Sequence, residues 1–188
     1  NARQYLWLVP HDPEGLFSIL GGKTVALERL ELMMSEGALE LERAGYSDAL
    51  YGTWYWHGNE PGLHIPWLIA LAGEPDTSRR WVRWLRDNVY SSDPDGLAGN
   101  DDGGTLSAWY VWAAMGVYPL AGSDTYVLGA PLFDRIEVTP DDGSEAIIIT
   151  RSGDGDHATI SRNGSPFLDP DLVHAQLNPG TRWHFELE

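Results

Sequence analysis

The 188-residue sequence contains no cysteine and a single lysine, Lys23. Without cysteine there is no disulfide framework, no zinc–thiolate centre and no thiol nucleophile, although the compartment stays open because some secreted proteins lack cysteine. Only 12 residues are basic against 28 acidic, a formal net charge of −16. Nucleic acids and anionic membranes are bound through clustered cations, which this chain lacks, so no nucleic-acid partner is expected. Long apolar runs are missing too. The longest uncharged stretch, Gly103 to Ser123, has a continuous apolar heart only from Leu106 to Val117, broken by Ser107 and Gly116 and followed by Pro119. That is the length of one buried helix, short of the ~20 residues that span a bilayer, and no transmembrane segment is expected. The opening, Asn1 to Asp12, has neither a Met nor a charged-then-apolar leader and reads as interior sequence.

What is present describes a globular chain. Apolar residues make up 43% and charged residues 21%, which excludes disorder and coiled coil as global descriptions. Nine Trp and eight Tyr accompany only four Phe. Trp and Tyr carry a polar handle on a flat apolar face, and such faces suit sugar rings as well as core packing.

Two grammars follow one another. Asp12-Pro13-Glu14 starts a helix with a capping carboxylate, a proline at the first position and an acid near the positive end of the dipole. Gly21-Gly22 ends it. The spacing of Leu27, Leu30 and Met34 predicts a second helix over 24–34, stopped at Gly37. A third is expected over 61–72. The fourth starts at Asp76 or Thr77 with Trp81, Trp84, Leu85, Asn88 and Val89 on one face. The fifth, 105–115, is apolar nearly all round, which predicts burial on most faces. After Pro119 short β-rich runs take over at 124–128, 135–139, 146–150, 158–161 and 183–187, with a hairpin turn at Arg162-Asn163-Gly164-Ser165. Asp154, Asp156 and Asp169 read as solvated turn residues. The fold class expected is α+β, with a helical unit over 1–120 and a β-rich, sandwich-like module over 121–188. Both units are left with open edges.

Two loops concentrate chemistry. His57-Gly58-Asn59-Glu60-Pro61 precedes the third helix, and Gly99-Asn100-Asp101-Asp102-Gly103-Gly104 precedes the fifth. Each sets Asn and carboxylate at a helix start, where free N–H groups and the dipole stabilise negative charge. Stacked antiparallel helix pairs would open both loops at one end of the bundle. Helix capping explains either loop alone. The density of oxygen donors and aromatics on the pair, with Trp54, Tyr55, Trp56 and His57 beside them, favours a site, and hard oxygen donors without cysteine suit Ca²⁺ better than zinc.

The ordered series Asn1-Ala2-Arg3-Gln4-Tyr5-Leu6-Trp7, Val9-Pro10-His11-Asp12, His57-Gly58-Asn59-Glu60-Pro61, His64-Ile65-Pro66-Trp67, Pro94-Asp95-Gly96-Leu97-Ala98-Gly99-Asn100-Asp101-Asp102-Gly103-Gly104, Ser107-Ala108-Trp109-Tyr110 and Gly116-Val117-Tyr118-Pro119 resembles the signature of the glycoside hydrolase family 92 α-mannosidases. Tyr126, Gly129, Pro131, Leu132, Phe133 and Asn163-Gly164 continue it. The resemblance implies a Ca²⁺-dependent, inverting exo-α-mannosidase acting on mannose-containing glycans, in an extracytoplasmic setting: secreted, periplasmic or cell-surface. It also implies a partial (α/α)6 toroid, the rear helices, followed by the β-rich module, with the N-terminal half of a longer enzyme as the covering partner.

Carried over residue by residue, the resemblance makes Asp102 the general base, with Asp101 as a second catalytic carboxylate. This chain has Asn100 where a common family form has Asp. Asn59, Glu60 and Asp102 are the implied Ca²⁺ ligands, with Glu60 in the motif associated with the sugar, and Gln4, Asp12, His64, Asn100 and Trp56 are further candidate substrate contacts. The general acid is implied to be a Glu two residues before the position of Asn1. From the residues alone, Asp12 is equally a helix cap, Gln4 a buried amide and His64 a structural histidine. A carbohydrate-binding or interface fragment without activity, or an inverting toroid hydrolase of other sugar preference, also fits the sequence.

Overall fold

The computed structural model describes residues 1–44 and 54–188. Among the described residues, seven α-helices come first: α1 (Ala2–Tyr5), α2 (Pro13–Leu20), α3 (Lys23–Ala44), α4 (Glu60–Leu63), α5 (Ile65–Leu71), α6 (Pro75–Val89) and α7 (Thr105–Met115). Eight strands follow: β1 (Val117–Pro119), β2 (Thr125–Leu128), β3 (Arg135–Val138), β4 (Ile147–Gly153), β5 (Ala158–Arg162), β6 (Ser165–Phe167), β7 (Asp171–Val173) and β8 (Arg182–Leu187).

Helices pack in turn, α2 on α3, α3 on α5, α5 on α6 and α6 on α7. Their core is built around Trp7, Phe17, Leu30, Met34, Trp67, Leu68 and Trp109, all essentially sealed from solvent. The strands form a three-stranded sheet, β1-β2-β7, and a five-stranded sheet, β3-β4-β8-β5-β6, in which only the β4–β8 pair is parallel. Leu128 and Leu172 from the first sheet meet Ile149, Trp183, Phe185 and Leu187 from the second in one core, so the module is built as a sandwich.

β2 joins the two halves. Val127 faces the helical core and Leu128 the sandwich core, and both are fully buried. A strand covered on both faces reads as an apolar pair rather than an alternation. The sheet also begins earlier than the boundary at 121, because Val117 to Pro119 already pair with β2.

Several helix expectations shift for physical reasons. α3 runs through Gly37 instead of stopping there. A Cβ at position 37 would lie 2.6 Å from the Tyr55 Cβ, so this glycine marks the close approach of another segment, not a helix end. The third helix is divided at His64 into α4 and α5. On α6 the buried ridge is Ser78, Arg79, Val82 and Leu85, with Trp81 and Trp84 on its flank and Asn88 exposed. Polar residues occupy the ridge because they are satisfied: Ser78 Oγ donates to the Pro66 carbonyl at 2.8 Å, and Arg79 Nε to the Gly129 carbonyl at 3.1 Å. α7 has the expected bounds, but it buries one stripe, Leu106, Trp109, Ala113 and Ala114, and leaves Ser107, Ala108 and Val111 exposed.

β1, β6 and β7, three residues each, were too short to leave a pattern. The Asn163-Gly164 turn is as expected: both residues have positive φ, 51° and 80°, closing a two-residue hairpin between β5 and β6. Asp154 and Asp156 are not merely solvated turn residues. The Arg83 guanidinium on α6 pairs with Asp154 at 3.0 Å and Asp156 at 3.1 Å and donates to the Gly155 carbonyl, tying the β4–β5 loop to the helical half.

Candidate functional site

The two chemistry-bearing loops touch, and glycine makes the contact possible. A Cβ on Gly99 would collide with the Gly58 carbonyl oxygen, and one on Gly58 would lie 2.6 Å from the Ala98 carbonyl and run into the Trp56 ring. Asn59-Glu60 and Asn100-Asp101-Asp102 therefore leave the same point of backbone contact on neighbouring loops. A direct bond ties the helices behind them: Trp109 Nε1 on α7 donates to the Leu63 carbonyl on α4 at 2.9 Å.

Capping separates the acidic residues into two kinds. Asp101 accepts the Ser107 N–H and the Ser107 hydroxyl, each at 2.9 Å, while its carbonyl takes the Thr105 N–H at 2.7 Å. Both carboxylate oxygens are thus engaged at the start of α7, and the Ser107 amide, then its hydroxyl, hold the Asp101 pKa below the usual carboxylate value. Such a group is a poor proton acceptor. In this structure the expected catalytic carboxylate Asp101 is engaged at the start of α7. Asp102, next to it, is exposed and left-handed, with φ 47°, and begins a run of positive φ through Gly103 and Gly104. Its carbonyl accepts the Thr105 hydroxyl at 2.8 Å, which fixes the backbone and leaves the carboxylate outside the capping scheme.

At the first loop, Asn59 occupies the N-cap position of α4 yet makes no side-chain capping bond, and Glu60 follows it at the helix start. Asn59, Glu60 and Asn100 are all exposed. Capping, the simplest explanation of this loop, does not account for Asn59.

Other expected contacts lie elsewhere. Trp56 is buried against Leu41, Trp84, Val89 and Ala98 and forms the floor beneath Gly58 rather than an open platform. His64 is buried, its Nε2 2.6 Å from the Trp7 carbonyl, and burial lowers its pKa. Gln4 is buried and donates to the Trp54 carbonyl at 3.1 Å, anchoring α1. Asp12 caps α2 through the Gly15 N–H at 2.9 Å. The Trp54 ring carries the Arg3 guanidinium 3.9 Å from its centroid, so one face is covered. A cleft of about 510 Å³ opens beside the second loop, lined by Tyr90, Leu97, Ser107, Tyr110 and Val111 among others.

Sequence reasoning missed the layer under the loops. His57 is fully buried, with Nδ1 2.7 Å from the Tyr55 hydroxyl, Nε2 2.8 Å from the Tyr90 hydroxyl and the ring edge-on to Trp109 at 4.2 Å. Burial with no carboxylate partner pushes its pKa down to about 3, so the ring is neutral. Tyr55, two residues away, was a visible signal; Tyr90, 33 residues on, was not.

A model of the glycosyl hydrolase family 92 catalytic domain matches residues 1–188. The chain belongs to glycosyl hydrolase family 92. Among solved structures, a family 92 α-mannosidase from Bacteroides thetaiotaomicron is 31% identical with a TM-score of 0.81, covering 99% of this chain and 24% of that one. A family 92 inverting mannosidase from the same organism is 27% identical with a TM-score of 0.84, covering 100% of this chain and 27% of that one. An uncharacterised secreted glycosidase of Arthroderma benhamiae is 25% identical over 182 residues, 93% of this chain and 22% of its own length. This family 92 chain therefore spans about a quarter of the length of these relatives.

Proposed function

We propose that the loops at 57–60 and 99–104 form part of the active site of an inverting exo-α-mannosidase that removes terminal α-linked mannose from glycans with Ca²⁺. The observation that carries this reading is the glycine-to-glycine contact, which brings the loop bearing Asn59, free of a capping bond, and the exposed Glu60 against the loop that carries the exposed Asp102. Family membership and the two bacterial mannosidases supply the reaction class.

In an inverting hydrolysis an acid protonates the leaving oxygen, while a base activates water on the opposite face of the sugar. The two carboxyl groups stand about 6.5–9.5 Å apart. Asp102 is the base: its carboxylate accepts the proton of the attacking water, and the left-handed backbone at 102 projects it away from the α7 cap. Asp101 supports it indirectly by holding the start of α7. Asn100 stands at the same loop tip and contacts substrate. The acid comes from polypeptide outside residues 1–188, which suits a chain spanning a quarter of its relatives' length.

Calcium fits the donor types available. Among the described residues no cluster of three or more His, Asp or Glu is placed to hold a metal. The candidate donors are instead the Asn59 amide and the Glu60 carboxylate, with Asp102 on the neighbouring loop, and Ca²⁺ accepts such mixed oxygen shells completed by carbonyls, waters or hydroxyls. When bound, the ion supplies a hard contact for vicinal sugar hydroxyls and favours distortion of the ring toward the transition state. The setting we infer is extracytoplasmic, supported by the fungal relative's name as a secreted glycosidase.

The test is the anomer released from an aryl α-mannoside by the native full-length protein, followed by proton NMR. β-Mannose should form first, EDTA should abolish turnover and Ca²⁺ should restore it. Initial α-mannose, or full rate in EDTA, would contradict the proposal.

A further inference from the structure

The buried layer beneath the loops contains a hydrogen-bond chain that ends on both chemistry-bearing helices. The Tyr55 hydroxyl lies 2.7 Å from His57 Nδ1 and 3.2 Å from the Gly62 carbonyl in α4. The Tyr90 hydroxyl lies 2.8 Å from His57 Nε2 and 3.3 Å from the Leu106 carbonyl in α7. Gly62 is two residues beyond Glu60, and Leu106 is four beyond Asp102.

Counting protons gives this chain an unusual property. There are four links: Gly62 to Tyr55, Tyr55 to His57, His57 to Tyr90, and Tyr90 to Leu106. A neutral imidazole brings one N–H and each tyrosine one O–H, three protons in all. If Nε2 carries the proton, the ring donates to Tyr90, Tyr90 donates to Leu106, and Tyr55 turns its hydroxyl to Nδ1 and away from Gly62. If Nδ1 carries it, Tyr55 fastens Gly62 and Tyr90 turns away from Leu106. One helix is held by its tyrosine in each case.

We propose that His57 is a positioning residue for the site: through Tyr55 and Tyr90 it sets the first turn of α4 against the first turn of α7, and its tautomer decides which of the two is fastened. The inference rests on the mannosidase reading for its effect on turnover, but the chain of bonds is a property of the fold.

The experiment pairs two hydroxyl deletions that preserve ring volume, made in the native full-length protein. Tyr55→Phe leaves Nδ1 without a hydroxyl and should drive the ring to the Nε2–H form. Tyr90→Phe should drive it to the Nδ1–H form. Nitrogen-15 spectra of imidazole-labelled protein distinguish the tautomers, and opposite forms in the two variants are expected, a result that simple packing of the ring would not produce. On an aryl α-mannoside the variant that reverses the wild-type tautomer should lose about tenfold or more in kcat with KM changed less than about twofold, since displacement of reacting groups by ~1 Å costs up to about 10²-fold, and the other variant should lose less. His57→Gln, which retains a donor and an acceptor, should keep more activity than His57→Phe. The same tautomer in both tyrosine variants, or unchanged kcat in folded variants, overturns the inference. Should the wild-type protein turn over no mannoside, the functional reading fails instead, and the imidazole spectra then decide the relay by themselves.

Discussion

Asp101 and Asp102 are adjacent in sequence yet differently engaged. Asp101 spends both carboxylate oxygens on Ser107, whereas Asp102, turned by its positive φ, takes no part in the cap. Asp101→Ala should therefore lower the melting temperature, read by calorimetry, as loss of an N-cap does. The buried histidines give a pH prediction at the same scale. His57 is depressed to about 3 and His64 is lowered, in both cases first by burial. Between those folded values and the ordinary value near 6.5 the unfolded chain binds more protons than the folded one. Stability should then be complete above about pH 6.5 and fall as the pH drops toward 3. Thermal unfolding from pH 7.5 to 4 checks this, and a flat profile in that window would contradict neutral burial of both rings.

Elements reveal which parts of the design were legible. Asn163-Gly164 was readable because a two-residue hairpin demands positive φ at both positions, and β8 because its residues alternate strictly between exposed and buried. Gly37 misled because a glycine inside a helix signals a stop and a close approach with the same letter, and only the position of Tyr55 decides between them. The site loops were legible as oxygen-rich helix starts. Their contact through Gly58 and Gly99 was not, since the residues lie 41 positions apart. Trp56 reads as a sugar platform, Gln4 as equally site or core and His64 as more often structural, and in the structure all three are buried. The glycine contact carries its own prediction. Gly99→Ala places a methyl against the Gly58 carbonyl, backbone that cannot rotate away, and should cost about 1–3 kcal/mol of stability while weakening Ca²⁺ binding. Chemical denaturation and calcium titration measure the two effects, and an unchanged calcium affinity would separate the glycines from the site.

At the level of the whole molecule, helices and sandwich act as a unit because β2 is buried on both faces and because Arg83 grips the β4–β5 loop from α6. The sequence boundary at 121 falls between β1 and β2, two strands that pair with each other. Arg83→Leu should accelerate amide exchange across 153–157, with little change in global stability because the pairs are partly solvated. Exchange as slow as in the wild type would show that the loop needs no such anchor.

On the proposed reading Asp102, not its neighbour, activates water. The most direct measurement of this is turnover of an aryl α-mannoside by Asp102→Asn and Asp101→Asn in the native full-length protein at saturating Ca²⁺. General-base removal should lower kcat of Asp102→Asn by about 10²–10⁴-fold, with Asp101→Asn within a few-fold of wild type. The reverse order, or an Asp102→Asn variant within a few-fold of wild type, would contradict the account.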